Sequence, residues 1–232
     1  MKKLFFALAV ALTCWACTES PEIEELPLDQ HEVVITAKTD SSRAMYNPTN
    51  KTTRWEATDV LGCFAERNNN IKFKATNINA SQFSSLVTGE PSEYYFYFPY
   101  NANAKMANGV ITTELLTTQQ LRAGSYAPTI PMVAYTTSID NVSFDNLCGV
   151  LTFNVRSNID RILTSFSFES NDHSPVAGTY TVDMNKTPYT LNLVSNKSSK
   201  VTMEGSVAMT AETDYKFYVF LPPMTHASGF TI

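Results

Sequence analysis

The chain has 232 residues, of which 44% are hydrophobic and 17% are charged, and its formal net charge is −5. The hydrophobic share is sufficient for a packed core, while the charged share lies below the roughly 25% usual in folded domains. The acidic balance excludes the basic surface that nucleic-acid binding requires, so we expect no nucleic-acid partner.

The first residues have the pattern of a secretory signal. Lys2 and Lys3 form a positive start, and an apolar run over residues 4–12 follows. This run is well short of the roughly 20 residues that a membrane-spanning helix needs. The pattern therefore indicates a segment for export, not a transmembrane helix.

The Ala16-Cys17 junction resembles a bacterial lipobox, in which the cysteine is lipidated and becomes the first residue of the mature protein. Cys14 is a second candidate, but Thr13 before it is a poorer cleavage residue than Ala16. An ordinary signal peptide with incidental cysteines is the remaining alternative. We predict a lipoprotein signal peptide over residues 1–17, with a multi-chain lipid anchor on Cys17 that attaches the protein to a membrane.

Residues 18–30 are acidic, contain two prolines and have almost no apolar periodicity, which predicts an extended tether. Acidic residues close behind a lipidated cysteine also resemble the signal that sends lipoproteins to the outer face of the outer membrane in Bacteroidetes. A solvated spacer without a targeting role is the alternative.

Short strands are predicted along the first half of the chain, as in 31–39, where Val33, Ile35 and Ala37 alternate with residues 34, 36 and 38. The predicted strands of this half cover 31–39, 60–65, 71–75, 83–87, 93–100 and 130–135. Residues 111–122 fit a short helix or an extended segment equally well.

The second half continues in the same way, and no segment has the pattern of a long amphipathic helix. Its predicted strands cover 142–144, 148–155, 161–169, 176–184, 189–194, 200–203 with residue 207, 214–221 and 229–232. Many short strands separated by turn signals predict an all-β fold of the sandwich type.

Cys63 and Cys148 are the two cysteines beyond the predicted signal, and each lies in an apolar run. They can form one disulfide in an oxidising compartment, or they can be two buried thiols that act as small hydrophobic side chains. The apolar surroundings favour the two thiols.

No residue pattern indicates catalysis. His31, His173 and His226 lie far apart without metal-ligand spacing, and no nucleophile motif or phosphate-binding glycine loop is present. Carboxylate pairs such as Glu24-Glu25 fall in the tether. We therefore expect no enzyme activity, no cofactor and no metal.

The aromatic run over 93–100 has two interpretations. Tyr94, Phe96 and Phe98 share one face of a strand, and Tyr95 and Tyr97 share the other. An exposed face would form a stacking platform for a glycan. Aromatic residues on both faces instead favour a central strand that is buried on each side.

Taken in order, several short motifs resemble those of the Bacteroidales fimbrillin family, the subunits of type V pili. The resemblance extends from about residue 33 to residue 232 and rests on Arg43-Ala44, Trp55 with Asp59-Val60-Leu61-Gly62, Tyr97-Phe98-Pro99-Tyr100, residues 130–134, residues 144–153, residues 218–223 and Gly229-Phe230.

The resemblance implies two transthyretin-like Greek-key β-sandwich domains, placed here at 31–142 and 143–232. The family usually continues beyond a Gly-Phe strand, so we expect the second domain to be incomplete. It also implies that an arginine-specific protease cuts the Arg43-Ala44 bond and removes the strand 31–39. A strand of a neighbouring subunit then fills the groove. The alternative is that Arg43 is an ordinary loop residue and the first strand stays in place.

These expectations combine into one hypothesis: a fimbrillin-like pilus subunit, exported as a surface lipoprotein of the outer membrane, that acts by assembly and adhesion. Its expected partners are other pilus subunits through strand exchange, the outer membrane through the lipid, and a host or bacterial surface ligand. The alternative function is a surface glycan-binding lipoprotein of a Bacteroidetes outer membrane.

Overall fold

The computed structural model describes residues 29–39, 45–47, 52–124 and 130–232. Within these ranges the chain forms β-strands and connecting turns, and the single helical element there is a 3₁₀ turn, Ile78–Ala80. No helix in the described part is long and apolar enough to cross a membrane. The all-β class predicted from alternating segments is confirmed.

The strands up to residue 146 are β1 (Gln30–Thr39), β2 (Met45–Asn47), β3 (Thr52–Arg54), β4 (Val60–Ala65), β5 (Asn68–Asn77), β6 (Gln82–Thr88), β7 (Tyr94–Phe98), β8 (Lys105–Ala107), β9 (Val110–Leu115), β10 (Thr118–Gln120), β11 (Met132–Thr136) and β12 (Val142–Asn146). The later strands are β13 (Gly149–Arg156), β14 (Arg161–Ser170), β15 (Ala177–Asp183), β16 (Asn192–Ser198), β17 (Lys200–Met209), β18 (Asp214–Leu221) and β19 (Phe230–Thr231). The segment 111–122, which fitted helix or strand equally, is extended and contributes to β9 and β10.

Seven strands form a closed barrel in the order β1-β12-β11-β7-β4-β5-β6. Alternate side chains of each strand point inward, as the period of two requires. The inward residues form one apolar core, and its fully buried members include Ile35, Leu61, Phe73, Phe83 and Phe96. These strands close into a ring, so the described all-β fold includes a closed barrel, and the two transthyretin-like sandwich domains stay a prediction.

The remaining sheets surround a second apolar core, which contains Phe168, Tyr180 and Phe217. They comprise a four-stranded sheet β10-β17-β14-β19, a four-stranded sheet β16-β15-β9-β8 and the pair β13-β18. The separate pair β2-β3 completes the described strands.

Strand pairing does not follow chain order. β9 pairs with β15 and β10 pairs with β17, so residues 110–120 join sheets formed by the C-terminal half. β12 instead pairs with β1 and β11 of the barrel. The domain boundary between residues 142 and 143 stays a prediction. The sheets cross this boundary, because strands from before residue 142 pair with strands of the C-terminal half.

One wall of the barrel is buried on both faces. Phe64 of β4, Tyr97 of β7 and Val133 of β11 point out of the barrel and belong to the second core. The Tyr97 ring stacks on Phe64 with centroids 5.8 Å apart, and a Cβ added at Gly62 would lie 2.0 Å from that ring. Burial on both faces explains why these strands are apolar at nearly every position.

Candidate functional site

The lipidation site predicted at Cys17 and the processing site predicted at Arg43 and Ala44 lie outside the described residues. The strand that processing would remove is described, and it corresponds to β1. The surroundings of β1 therefore determine what its removal would do.

β1 lies between β6 and β12 and closes the barrel. It pairs antiparallel with β6 over residues 30–36 and parallel with β12 over residues 37–39. Val33, Ile35 and Ala37 point inward and are buried. Removing β1 would open the ring and leave backbone groups of both neighbouring strands without their hydrogen-bond partners, which is costly inside a fold.

The indole of Trp55 holds the end of β1. Its Nε1 donates to the carbonyl of Ala37 at 3.0 Å, and the side chain is buried. Its ring packs edge-on against Phe83, Phe98 and Phe144, with centroids 5.1, 5.3 and 5.6 Å away. Trp55 thus connects β1 to three other strands of the barrel.

The turn after Trp55 contains a buried carboxyl group. Asp59 accepts a hydrogen bond from the Glu56 backbone N–H at 2.7 Å, and Glu56 forms an ion pair with Arg122 at 3.0 Å. Burial raises the pKa of Asp59 to about 6, although the hydrogen bond from Glu56 opposes that change. The folded protein therefore holds a proton on Asp59 at a pH where the unfolded chain has released it.

Replacing Asp59 with asparagine should remove a pH-dependent loss of stability. The pKa of Asp59 is higher in the folded protein than in the unfolded chain. Ionisation of Asp59 therefore lowers the stability of the fold: the loss is absent below about pH 4, grows as pH rises and is complete above about pH 6. We expect Asp59→Asn, which keeps the acceptor for Glu56, to be more stable than wild type by about 3 kcal/mol at pH 7 and nearly equal near pH 4. Urea unfolding across this range tests it, with the exposed Asp140→Asn as control. An equal gain at both pH values would contradict the assignment.

β13 is an open sheet edge. It pairs with β18 in a continuous antiparallel register from Gly149 opposite Leu221 to Arg156 opposite Asp214. No second strand pairs with β13 among the described residues. An edge of this kind presents backbone N–H and C=O groups to a further strand.

Apart from β18, the other edges of the described sheets are shorter or irregular. β8 and β10 have three residues each and β19 has two. β16 has seven residues, but its pairing with β15 contains register shifts, and it carries Lys197. Short length, bulges and lysine are features that prevent strand addition. β13 has eight residues, a regular register and none of these features.

The far side of β18 is covered by a side chain. The buried amide of Gln119 donates to the Phe220 carbonyl at 2.8 Å and accepts from the Phe220 N–H at 3.0 Å. The Gly124 N–H donates to the Lys216 carbonyl at 2.8 Å. Sequence analysis did not identify Gln119, because a glutamine in a short polar segment carries no signal of its distant partner.

Aromatic rings lie beside the β13 edge. Phe153 of β13 contacts Phe166 of β14 and Phe230 of β19, with centroids 5.9 and 6.3 Å apart. Phe230 is 42% exposed. An added strand would therefore meet apolar side chains as well as open backbone groups, which is the combination that strand addition uses.

The aromatic run over 93–100 does not form an open platform. Tyr94, Phe96 and Phe98 are buried in the barrel core, and Tyr97 is buried in the second core. The prediction of a central strand buried on each side is confirmed for these residues. The specific feature proposed for glycan stacking is wrong, because these rings point inward.

Cys63 and Cys148 are free and buried, so the disulfide alternative is wrong and the prediction of two thiols is confirmed. Cys63 belongs to the barrel core and Cys148 to the second core. Burial raises the pKa of both thiols, that of Cys148 to about 12. Each remains a protonated, unreactive side chain at neutral pH.

A serine, an aspartate and a histidine meet near the end of β14, which the spacing of these residues did not indicate. Ser170 Oγ donates to Asp172 Oδ1 at 2.6 Å and lies 2.9 Å from His226 Nδ1. This hydrogen bond and one from the Ser174 N–H hold the pKa of Asp172 at about 2. Ser170 is fully buried, and its hydroxyl donates a hydrogen bond to the Asp172 carboxylate.

No protein-family model matches the chain, and no curated protein matches it in sequence. A solved structure from Bacteroides ovatus, provisionally described as that of a cell adhesion protein, is similar with a TM-score of 0.49 and 12% sequence identity. The match covers 85% of this chain and 80% of that chain. A structural similarity this weak supports no statement about the function of this chain.

Proposed function

We propose that this chain is a fimbrillin-like cell-surface subunit that joins other subunits by strand addition and acts by adhesion. The main support for the proposal is the edge strand β13, which is long, has a regular register and is paired on one side among the described strands. A strand from another subunit would gain main-chain hydrogen bonds from it and register from the alternating side chains. Assembly of this kind needs a receptive edge and no reacting group.

The sequence supports a surface location for this subunit. The apolar run over 4–12, the Ala16-Cys17 junction and the acidic segment 18–30 together suit export, lipidation at Cys17 and display on the outer membrane. A subunit held in this way would present its edge to neighbours within the same surface layer.

The proposal has three more specific parts. They are membership of the fimbrillin family, two transthyretin-like Greek-key domains, and processing at the Arg43-Ala44 bond. Motif order supports the first two, and the central place of β1 in the barrel supports the third. Loss of β1 would create a second acceptor, between β6 and β12.

A lysine placed on the β13 edge should prevent association. Thr152 lies on β13 and is exposed, and Val194 on the irregular edge strand β16 is 49% exposed. We expect Thr152→Lys to abolish concentration-dependent self-association, because an added strand would have to bury the ammonium group. Val194→Lys, the matched control, should associate as wild type does. Sedimentation velocity of the Cys17→Ser form, before and after treatment with an arginine-specific protease, measures this.

Two results would contradict the proposal. One is a wild-type protein that stays monomeric at every concentration, both intact and protease-treated. The other is an equal effect of the two lysines, which would show that the β13 edge is not the contact. Thermal unfolding of both variants verifies that each remains folded.

A further inference from the structure

The outer wall of the barrel carries a group of tyrosines around one carboxylate. Tyr95 of β7 and Tyr135 of β11 are directly opposite each other in the sheet register, and their ring centroids are 5.1 Å apart. Tyr95 donates its phenol proton to Glu93 Oε2 and Tyr135 donates to Glu93 Oε1, each at 2.9 Å. One carboxylate thus accepts from two tyrosines on neighbouring strands.

A second carboxylate lies on the same face as this tyrosine pair. Asp145 of β12 pairs with Val133, two residues before Tyr135 on the same strand, which places it on the same face as Tyr135. The tyrosine cluster therefore consists of Glu93, Tyr95, Tyr135 and Asp145.

The protonation state of the cluster follows from these contacts. Burial and the hydrogen bond to Glu93 raise the pKa of Tyr95 to about 12, and the hydrogen bond to Glu93 is the main cause that raises the pKa of Tyr135. The phenols are therefore neutral at physiological pH. Glu93 is the carboxylate whose hydrogen bonds and charge raise both of these pKa values.

A carboxylate has about four lone-pair positions, and the two phenols use two of those on Glu93. Aromatic rings attract cations to their faces, and Tyr135 is 40% exposed to solvent. Hydrogen bonds from both phenols hold Glu93 in place, so a cation approaching it would meet a fixed carboxylate.

We propose that the tyrosine cluster binds a lysine or arginine side chain of a partner protein. Two carboxylates and two tyrosine rings attract a cation through their negative charge and their ring faces, and the net charge of −5 favours the approach of a basic segment. A neutral sugar fits less well, because it stacks on a broad open ring face and Tyr95 is half-buried. This binding site is independent of strand addition at β13.

Titration calorimetry with a short capped peptide that contains two lysines tests the proposal. The matched peptide has norleucine in place of each lysine and keeps the apolar stem without the charge. We expect saturable binding of the lysine peptide, weaker at high salt, and no binding of the norleucine peptide. An arginine peptide should bind at least as well, because its planar group also stacks on tyrosine.

Glu93→Gln and Tyr135→Ala should each weaken the lysine peptide at least about fivefold, which corresponds to roughly 1 kcal/mol. Glu114→Gln, which removes an exposed carboxylate on β9, should leave the affinity unchanged. Equal binding of the lysine and norleucine peptides would overturn the proposal, as would unchanged affinity in Glu93→Gln. Binding of a neutral maltose oligomer, reduced in Tyr135→Ala and without lysine binding, would assign the cluster to a glycan instead.

Discussion

Replacing Trp55 with alanine should lower the free energy of unfolding by about 3–5 kcal/mol. The substitution removes a buried ring that contacts Phe83, Phe98 and Phe144, and it leaves a cavity among them. It also leaves the Ala37 carbonyl at the end of β1 without its donor. A loss of this size is a large part of the total stability of an ordinary domain. Chemical denaturation followed by circular dichroism measures it.

Trp55→Phe is the matched variant, since it keeps an aromatic ring in the barrel and removes the indole N–H. We expect a loss of about 1–2 kcal/mol, from the unpaired Ala37 carbonyl and the smaller ring. Hydrogen exchange should rise first at the end of β1 in this variant, because the missing hydrogen bond ends there. An alanine variant that loses less than 1 kcal/mol would show that the described packing around Trp55 does not contribute to stability.

Removal of β1 should have a still larger effect, because it takes away a whole strand with the buried Val33, Ile35 and Ala37. An arginine-specific protease should cut first after Arg43, in a polar stretch of small residues between β1 and a proline-containing segment. Cutting alone should leave β1 in place through its pairing with β6 and β12. Release of β1 in mild denaturant should then lower the free energy of unfolding of the barrel by about 5 kcal/mol or more.

Mass spectrometry of the digest identifies the cut, and rebinding of a synthetic peptide of residues 31–39 tests the opened barrel. The peptide should restore stability, and a peptide with Ile35→Asp should not, because Ile35 is fully buried. Arg67 and Arg156, whose side chains are 66% and 53% exposed, serve as internal controls. Cleavage at these two arginines with resistance at Arg43 would falsify the processing hypothesis and support a β1 that stays in place.

Much of the local structure followed from alternation in the sequence. The pattern in 31–39 predicted a strand with Val33, Ile35 and Ala37 inward, and the structure has this arrangement in β1. The apolar run over 60–65 predicted a strand, and the aromatic run of β7 predicted a strand buried on both sides, as found. A strand's burial pattern is a local property, because successive side chains alternate between faces whatever the strand pairs with.

The sequence by itself thus determined the all-β class, most strand positions and the burial of Cys63 and Cys148. Only the tertiary structure decided that seven strands close into a barrel, that residues 110–120 join sheets of the C-terminal half, and that β13 has one partner strand among the described residues. The contacts of Gln119 with Phe220 and of Glu93 with Tyr135 were likewise decided there. The physical reason is that side-chain alternation depends on the residues of one strand alone. The choice of pairing partner instead depends on backbone groups, which nearly all residues share, and on packing between distant segments.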